Sequence, residues 1–454
     1  MSDWMFEGRP SANDEADKGV SIRPLSPVKF RVAMLILLSV YVLNFLDRQV
    51  INILVEPIKQ ELGLADWQLG MLTGFAFAIF YALAGIPIAR YAERGNRPYI
   101  IGTAVACWSA FTIFCGMAGN FVQLLMFRFG VGIGEAGGVP PAHSLISDYA
   151  PREKRASSLA FFHMGLPIGA LMGLALGGLV ADAYGWRAAF IIAGAPGFIV
   201  AVLLFVVLPE PRQAAKSGLV TATHKIGFVE TLKFLIRKRT FRFVLAGATL
   251  VSFVTYAHQT FIAAFFFRAH GPEMAAIASG FGLGPGGFLG ISLGLITGVA
   301  GSVGIWLGGK LADRGSGSDF SAYCKVPAYS LVLFVPVQFA TFMAPSVALA
   351  LIGFIPSILL ASMWIGPVQA SVQSVAPPQM RATASAILLL TMNLIGLGLG
   401  PVLLGVTSDF NSAVLKMGPA EGIRWALVVF TLPALIAAAL FWFARNDVRR
   451  DLEA

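Results

Sequence analysis

The sequence predicts an all-α membrane protein whose twelve transmembrane helices form two six-helix halves. Three observations point there. Hydrophobic residues make up 57% of the 454-residue chain and charged residues only 13%, with a mean hydropathy of +0.75; a soluble domain carries far more charge. Apolar runs of about 20 residues, the length an α-helix needs to cross a bilayer, recur from one end to the other. Short motifs of the first half also return, in the same order, in the second.

The elements follow in order. Residues 1–28 are polar, mixed in charge and dotted with Gly, Pro and Ser, and they lack the features of a signal peptide. They read as a disordered cytosolic tail. Spans 1–6 fall at about 32–58, 68–89, 98–119, 121–147, 157–181 and 188–208, within a first half of residues 29–208. Residues 209–241 form a basic cytoplasmic linker. Within it, HKIGFVETLKFLIRKRTFRF sets Phe228, Leu232, Leu235 and Ile236 at helical spacing between basic residues, the pattern of an interfacial helix. A plain linker is the alternative. Spans 7–12 fall at about 242–267, 286–309, 323–344, 346–373, 382–407 and 425–444, within a second half of residues 242–445. Residues 446–454 read as a cytosolic tail.

Basic residues set the orientation. With the N-terminus inside, the loops on its side hold Arg90, Arg94, Arg97, Arg152, Lys154, Arg155, Lys310, Arg314, Lys325 and Arg381. The opposite side has only Lys59, Arg187, Arg268, Lys416 and Arg424. The positive-inside rule puts both termini in the cytoplasm. The net charge of +9 is therefore a topology signal, and a nucleic-acid partner has no separate support. Cys107, Cys115 and Cys324 have no metal-ligand spacing and read as small core residues. His143, His163, His224 and His270 show no ligand spacing either.

The repeat is visible in three places. YAPREKRASS at 149–158 aligns with VAPPQMRATA at 375–384, which sets Arg155 over Arg381. GGLVAD, ending at Asp182, aligns with LGVTSD, ending at Asp409. AERGNR at 92–97 answers GGKLADRGSG in the span 8–9 loop. Three matches in one order indicate duplication, and two helical halves around a central pathway are a transporter architecture.

Span 1 contains YVLNFLDRQVINIL, Tyr41 to Leu54, an apolar helix that holds Asp47 beside Arg48. A charge at the bilayer centre costs about 2.5–3.5 kcal/mol on insertion scales, so it faces a cavity or a partner. Span 4 supplies Arg128 and Glu135. At about 1.5 Å per residue, Asp47 lies roughly 22 Å from one surface and Arg128 roughly 10 Å from the other. In a core about 30 Å thick these depths nearly coincide. The four charges sum to zero. One reading is a fixed cluster that pins spans 1 and 4. The functional reading is that Arg128 exchanges between Asp47 and Glu135, so that protonation and substrate binding compete for one arginine. Asp47 and Glu135 are then the proton-coupling residues. Arg48, Arg128, Asn44 and Tyr41 are the substrate-binding candidates, since Tyr41, Asn44 and Arg48 recur at i, i+3 and i+7 on one face. Across the pathway, span 7 offers Thr255, Tyr256, His258 and Gln259 and then Phe265, Phe266 and Phe267. A charged side facing an apolar wall suits an amphiphile, with lipid-facing phenylalanine as the ordinary alternative.

GGKLADRG around Asp313 resembles the loop signature of the major facilitator superfamily. The first-half copy departs from it, with Glu93 in the acidic position and Ala89 where glycine is usual. LPEPR at 208–212 matches a common ending of that family's sixth span. Within the superfamily, YVLNFLDRQVINIL together with FRFGVGIGEAG and ERGNR is similar to the Spinster group. The resemblance implies the major facilitator fold and alternating access without a cofactor; the buried charges add coupling to the proton gradient, and the charged side facing an apolar wall adds an anionic lipid-like substrate. Eukaryotic Spinster proteins are associated with sphingolipids and lysophospholipids. Short loops suggest a bacterial member, monomeric, in the inner membrane. The loop motifs mark a cytoplasmic gate of Glu93, Arg94, Arg97, Asp313, Arg314, Arg155 and Arg381, whose pairs form when that side closes.

Other classes fit less well. HExxH is absent, GISLG at 290–294 matches GxSxG only inside apolar span 8, away from the strand-to-helix turn that motif needs, and GIWLGGKL at 304–311 mimics a phosphate loop only until Leu311 takes the Ser/Thr position. An enzyme or a nucleotide-driven pump is therefore not expected. A receptor or scaffold has no use for exchangeable buried charges. The remaining alternative is a proton-coupled carrier of drugs or small organic anions.

Overall fold

The computed structural model describes residues 26–151, 154–211, 228–316 and 320–453. The N-terminal tail up to residue 25, and the linker stretch that contains His224, lie outside the described residues. Among the described residues, ten continuous helices are long and apolar enough to cross a membrane. Two features raise ten to twelve. The longest, Ser157–Val207, turns back at Gly185, whose φ of 83° is open to glycine, so it holds both spans 5 and 6. Span 4 is absent from the ten because it consists of two shorter helices, Phe121–Glu135 and Val139–Tyr149.

Local chemistry explains where helices start. Ser26 caps span 1 (Pro27–Leu62) and is followed by a proline at the first helical position. Asn96 caps span 3 (Arg97–Met117), and Asn120 caps span 4 by accepting from the Gln123 N–H at 3.0 Å. Span 1 ends on Gly63 in the left-handed conformation. The short loops this permits keep consecutive spans antiparallel. The start of span 1, the end of span 12 and the loops with Arg97, Arg155, Asp313 and Arg381 lie on one face, here the terminal face. The loops after spans 1, 3, 5, 7, 9 and 11 form the far face.

The duplication reaches down to irregularities. Span 4 is interrupted at 136–138, and span 10 (Val347–Ser362 and Ile365–Val375) at 363–364. Span 5 is interrupted at Met164, and span 11 widens into a π-turn at Met392–Leu397. Arg155 Nε donates to the Ala150 carbonyl at 3.4 Å; Arg381, 226 residues later, donates to Ala376 at 3.3 Å. The halves meet through span 1 against span 7 (Arg239–Ala269), span 5 against span 8 (Pro285–Ser316), and span 2 (66–94) against span 11 (381–414). On the terminal face the end helices pack mainly within their own half: Val139–Tyr149 and Arg155–His163 in the first, Ile365–Val375 and Arg381–Thr391 in the second.

Phe228–Arg237 is a helix that buries Thr231 and Leu235 against spans 7 and 11. The chain end differs from a plain tail. Val448–Glu453 is helical, and Asp451 Oδ2 accepts from the Thr240 N–H at 2.8 Å. Span 7 has no side-chain cap from its own N-cap, Lys238, and Asp451 supplies one from the other end of the half. The three cysteines are free, with Cys115 and Cys324 buried.

Candidate functional site

The site begins with the break in span 4. Gly134 packs against span 3 so closely that a Cβ there would fall 2.7 Å from the Trp108 nitrogen. Small residues let helices approach in this way. The helix then ends at Glu135, and its carboxylate reaches into the bundle, fully buried. Glu135 Oε2 accepts from Arg48 Nε at 2.7 Å and from Asn44 Nδ2 at 2.8 Å. The Arg48 guanidinium lies over the rings of Phe77 (4.5 Å), Tyr81 (5.0 Å) and Phe45 (5.4 Å). Aromatic faces hold a cation in place, and here they direct it to Glu135.

The expected exchange of Arg128 between two acids is not what the structure holds. Arg128 is 1% exposed, and among the described residues no carboxylate pairs with it. Its Nε donates instead to the Leu72 carbonyl at 3.3 Å, within a π-turn of span 2, and its Nη1 has no protein partner. The reason is reach. Seven residues of helix separate Arg128 from Glu135, roughly 10 Å, while Arg48 stands directly opposite. Asp47 forms no salt bridge with either arginine among the described residues; one of its oxygens accepts from Thr112 Oγ1 of span 3 at 3.1 Å and the other has no protein partner. Glu135 therefore has a cation and Asp47 has none.

A cavity of about 120 Å³ lies between the halves, lined by both arginines with Gln49, Asn52, Thr73, Tyr256, Gln259 and Thr297. An adjoining chamber of about 150 Å³ shares Gln49, Gln259 and Thr297 and is walled by Leu174, Ile262, Leu293, Phe334, Phe354 and Ile358. Thr255 and His258 also line this chamber. Asn44 lines neither space and positions Glu135. Tyr41 stacks on Phe162 at 4.5 Å and meets His163 edge-on. Phe265 and Phe266 are core residues, packed against Phe342 and Phe354 rather than facing lipid. Gln49 and Asn52 escaped the sequence reading, although two polar residues one turn apart in an apolar helix were the available signal.

The loop candidates separate from one another. Arg97 is fully buried and binds Asp148 at 2.6 Å and Ser144 at 3.0 Å in the first half, and Glu210 at the start of the linker through backbone and side chain. Asp313 and Arg314 are exposed, and Asp313 accepts from the Tyr323 hydroxyl at 3.0 Å. Arg155 and Arg381 each donate to the carbonyl that ends the preceding helix of the same half. The side chains of Glu93 and Arg94 lie outside the described residues. Among the described residues, no group of three or more metal-ligand side chains is present.

Comparison with known proteins agrees with this architecture. A family model described as Major Facilitator Superfamily matches residues 37–401. An MFS-type efflux pump of Mycolicibacterium smegmatis is 30% identical over 426 residues, 94% of this chain and 95% of that protein. Human protein spinster homolog 1 is 28% identical over 86% of this chain and 75% of its own length. A solved structure of a bacterial homolog of the human lysosomal transporter Spinster, inward-facing and unoccupied, superimposes with a TM-score of 0.82 at 32% identity, covering 94% of this chain and 99% of its own.

Proposed function

The chain belongs to the major facilitator superfamily and is related within it to the Spinster proteins, and from that premise we propose a proton-coupled lipid transporter. It is an integral membrane transport protein and not an enzyme. In this reading an amphiphilic anionic lipid, sphingolipid-like or lysophospholipid-like, crosses by alternating access. One observation carries the reading: a buried arginine with an unsatisfied nitrogen lines a cavity that continues into an apolar chamber. Arg128 and the partly accessible Arg48 take the anionic head, and the chamber takes the chain.

Coupling uses Arg48 rather than Arg128 as the shared cation. An anion that draws Arg48 from Glu135 leaves a carboxylate buried without its partner, and a proton then removes that cost. Asp47, without a cation, is the second proton site. By the positive-inside distribution both termini face the cytoplasm of a bacterial cell and the protein sits in its inner membrane. The far end is then the outer, closed end, as in the inward-facing relative. Asp313, Arg314, Glu93, Arg94, Arg155 and Arg381 approach across the inner end when it closes, while Arg97 stays a bracket inside the first half. The protein works as a monomer.

A second reading, a proton-coupled carrier of drugs or small organic anions, is favoured by the full-length similarity to an efflux pump. Thermal shifts of purified protein against single-chain anionic lipids and against water-soluble anions separate the two. Stabilisation by soluble anions alone selects the second reading. Flux in proteoliposomes that ignores an imposed pH gradient removes proton coupling from both.

A further inference from the structure

At the far end the halves meet along two seams that match residue for residue. At the end of span 5, Asp182 accepts from the backbone N–H groups of Gly286 at 3.1 Å and Gly287 at 2.6 Å, in the first turn of span 8. At the end of the Gly398–Asp409 helix, Asp409 accepts from the N–H groups of Asp66 and Trp67, both at 3.0 Å, in the first turn of span 2. Asp182 and Asp409 are 227 residues apart; Gly286 and Gly287 each follow Asp66 and Trp67 by 220.

Close backbone contact repeats with the same spacing. A Cβ on Gly178 would fall 2.1 Å from the Gly286 carbonyl oxygen, and one on Gly405, again 227 residues on, 2.4 Å from that of Asp66. Each carboxylate thus sits on the N-terminus of a helix from the other half, where unpaired N–H groups and the helix dipole both favour a negative charge.

We propose that Asp182 and Asp409 are duplicated latches that hold the far end shut and release when it opens. The proposal rests on the alternating-access reading above. The latches differ in reinforcement. Beside Asp409, the side chain of Asp66 takes a two-pronged contact from Arg268 (2.7 and 2.8 Å) and accepts from Ser408 at 2.6 Å, while Glu56 holds the third Arg268 nitrogen at 2.7 Å. Beside Asp182, the equivalent of Asp66 is Gly286, which has no side chain to build such a cluster. The span 5–8 latch is a bare helix cap, and the span 2–11 latch is a cap tied to a buried ion cluster.

The test is distance measurement between spin labels on Val122→Cys and Leu349→Cys, both exposed at the far end in different halves, in a cysteine-free background. Asp182→Asn and Asp409→Asn should each raise the far-open population about tenfold, the weight of one lost charge-assisted hydrogen bond. Arg268→Gln should add to Asp182→Asn but add little to Asp409→Asn. Gly178→Ala and Gly405→Ala should open the same end without removing a charge. Thermal melts identify any variant that has failed to fold, and the glycine variants then decide. Unchanged distances in folded Asp182→Asn and Asp409→Asn overturn the latches. Because these distances need no substrate, a far end that opens in the variants while flux stays blind to the pH gradient upholds the latches and removes only the coupling.

Discussion

Spans 4 and 10 break at matching points, and so do spans 5 and 11, yet what lies beside those breaks is different in the two halves. Beside the break in span 4, the first half buries Asp47, Arg48, Arg128 and Glu135. Beside the break in span 10, the second half places Ser357 bonded to Gln338, and His258 Nε2 against the Leu427 carbonyl at 2.9 Å, all uncharged. Duplication has kept the bending points and let the chemistry diverge. The hydrogen bond joining the halves near mid-depth, Thr260 to Thr73 at 3.3 Å, is between hydroxyls. Sliding there costs little, since among the described residues no ion pair joins the halves at that depth. The charged contacts between halves stand at the far end, where movement is to be resisted.

The strongest test of this asymmetry replaces one residue in each half. Glu135→Gln should reduce gradient-driven flux in proteoliposomes by about a hundredfold or more, the scale of losing a proton-transfer group. Asp47→Asn should act in the same direction, with substrate binding retained in at least one of the two. Ser362→Ala, 227 residues after Glu135, should keep flux within about twofold, as a substitution outside the charge cluster does. Equal losses in Glu135→Gln and Ser362→Ala would mean that both halves carry the coupling.

Binding gives the next largest contrast. Arg128→Ala should weaken anionic single-chain lipids by about ten- to a hundredfold while sparing a neutral lipid of the same chain. Gln338→Ala should weaken both lipids to a similar, smaller extent. Equal loss of both lipids in Arg128→Ala counts against a head-group contact.

Asp313→Asn sharpens the comparison at the terminal face. It should shift the population several-fold toward the conformation open there, as removal of a modest ionic contact does. Label distances across the terminal ends report it, and no change retires the gate role. The smallest expected effect concerns the shared scaffold. Arg155→Ala and Arg381→Ala should each cost about 0.5–1 kcal/mol of stability, the net worth of one long hydrogen bond. Thermal melts should show the two as equal; a marked difference would break the equivalence of the halves.

Much of this was legible beforehand. The alignment of Asp182 with Asp409 foretold a symmetry that the structure carries into hydrogen bonds. Asp47, Arg48, Arg128 and Glu135 stood out because nothing apolar about their helices accounts for them. Partner choice was not legible. Whether Glu135 meets Arg48 or Arg128 depends on the rotation of span 1 and on Phe45, Phe77 and Tyr81, which come from two helices. Tyr41 shares a face with Arg48, but Phe162 and His163 of span 5 cover it. Arg97 looked like any topogenic loop charge, because its partners Asp148 and Glu210 lie about 50 and 110 residues further along the chain.

The cap that Asp451 places on span 7 has a consequence for how the chain is made. Thr240 lies in the first turn of span 7, and the side chain that satisfies its N–H, Asp451, lies 211 residues further along the chain. During synthesis the first turn of span 7 emerges and inserts some two hundred residues before its cap exists. That turn waits open, held by its neighbours, until Asp451 has emerged. The second half is therefore completed only once Asp451 has been made, whereas the first half, whose spans all precede the linker, is free to assemble while the rest is still being made.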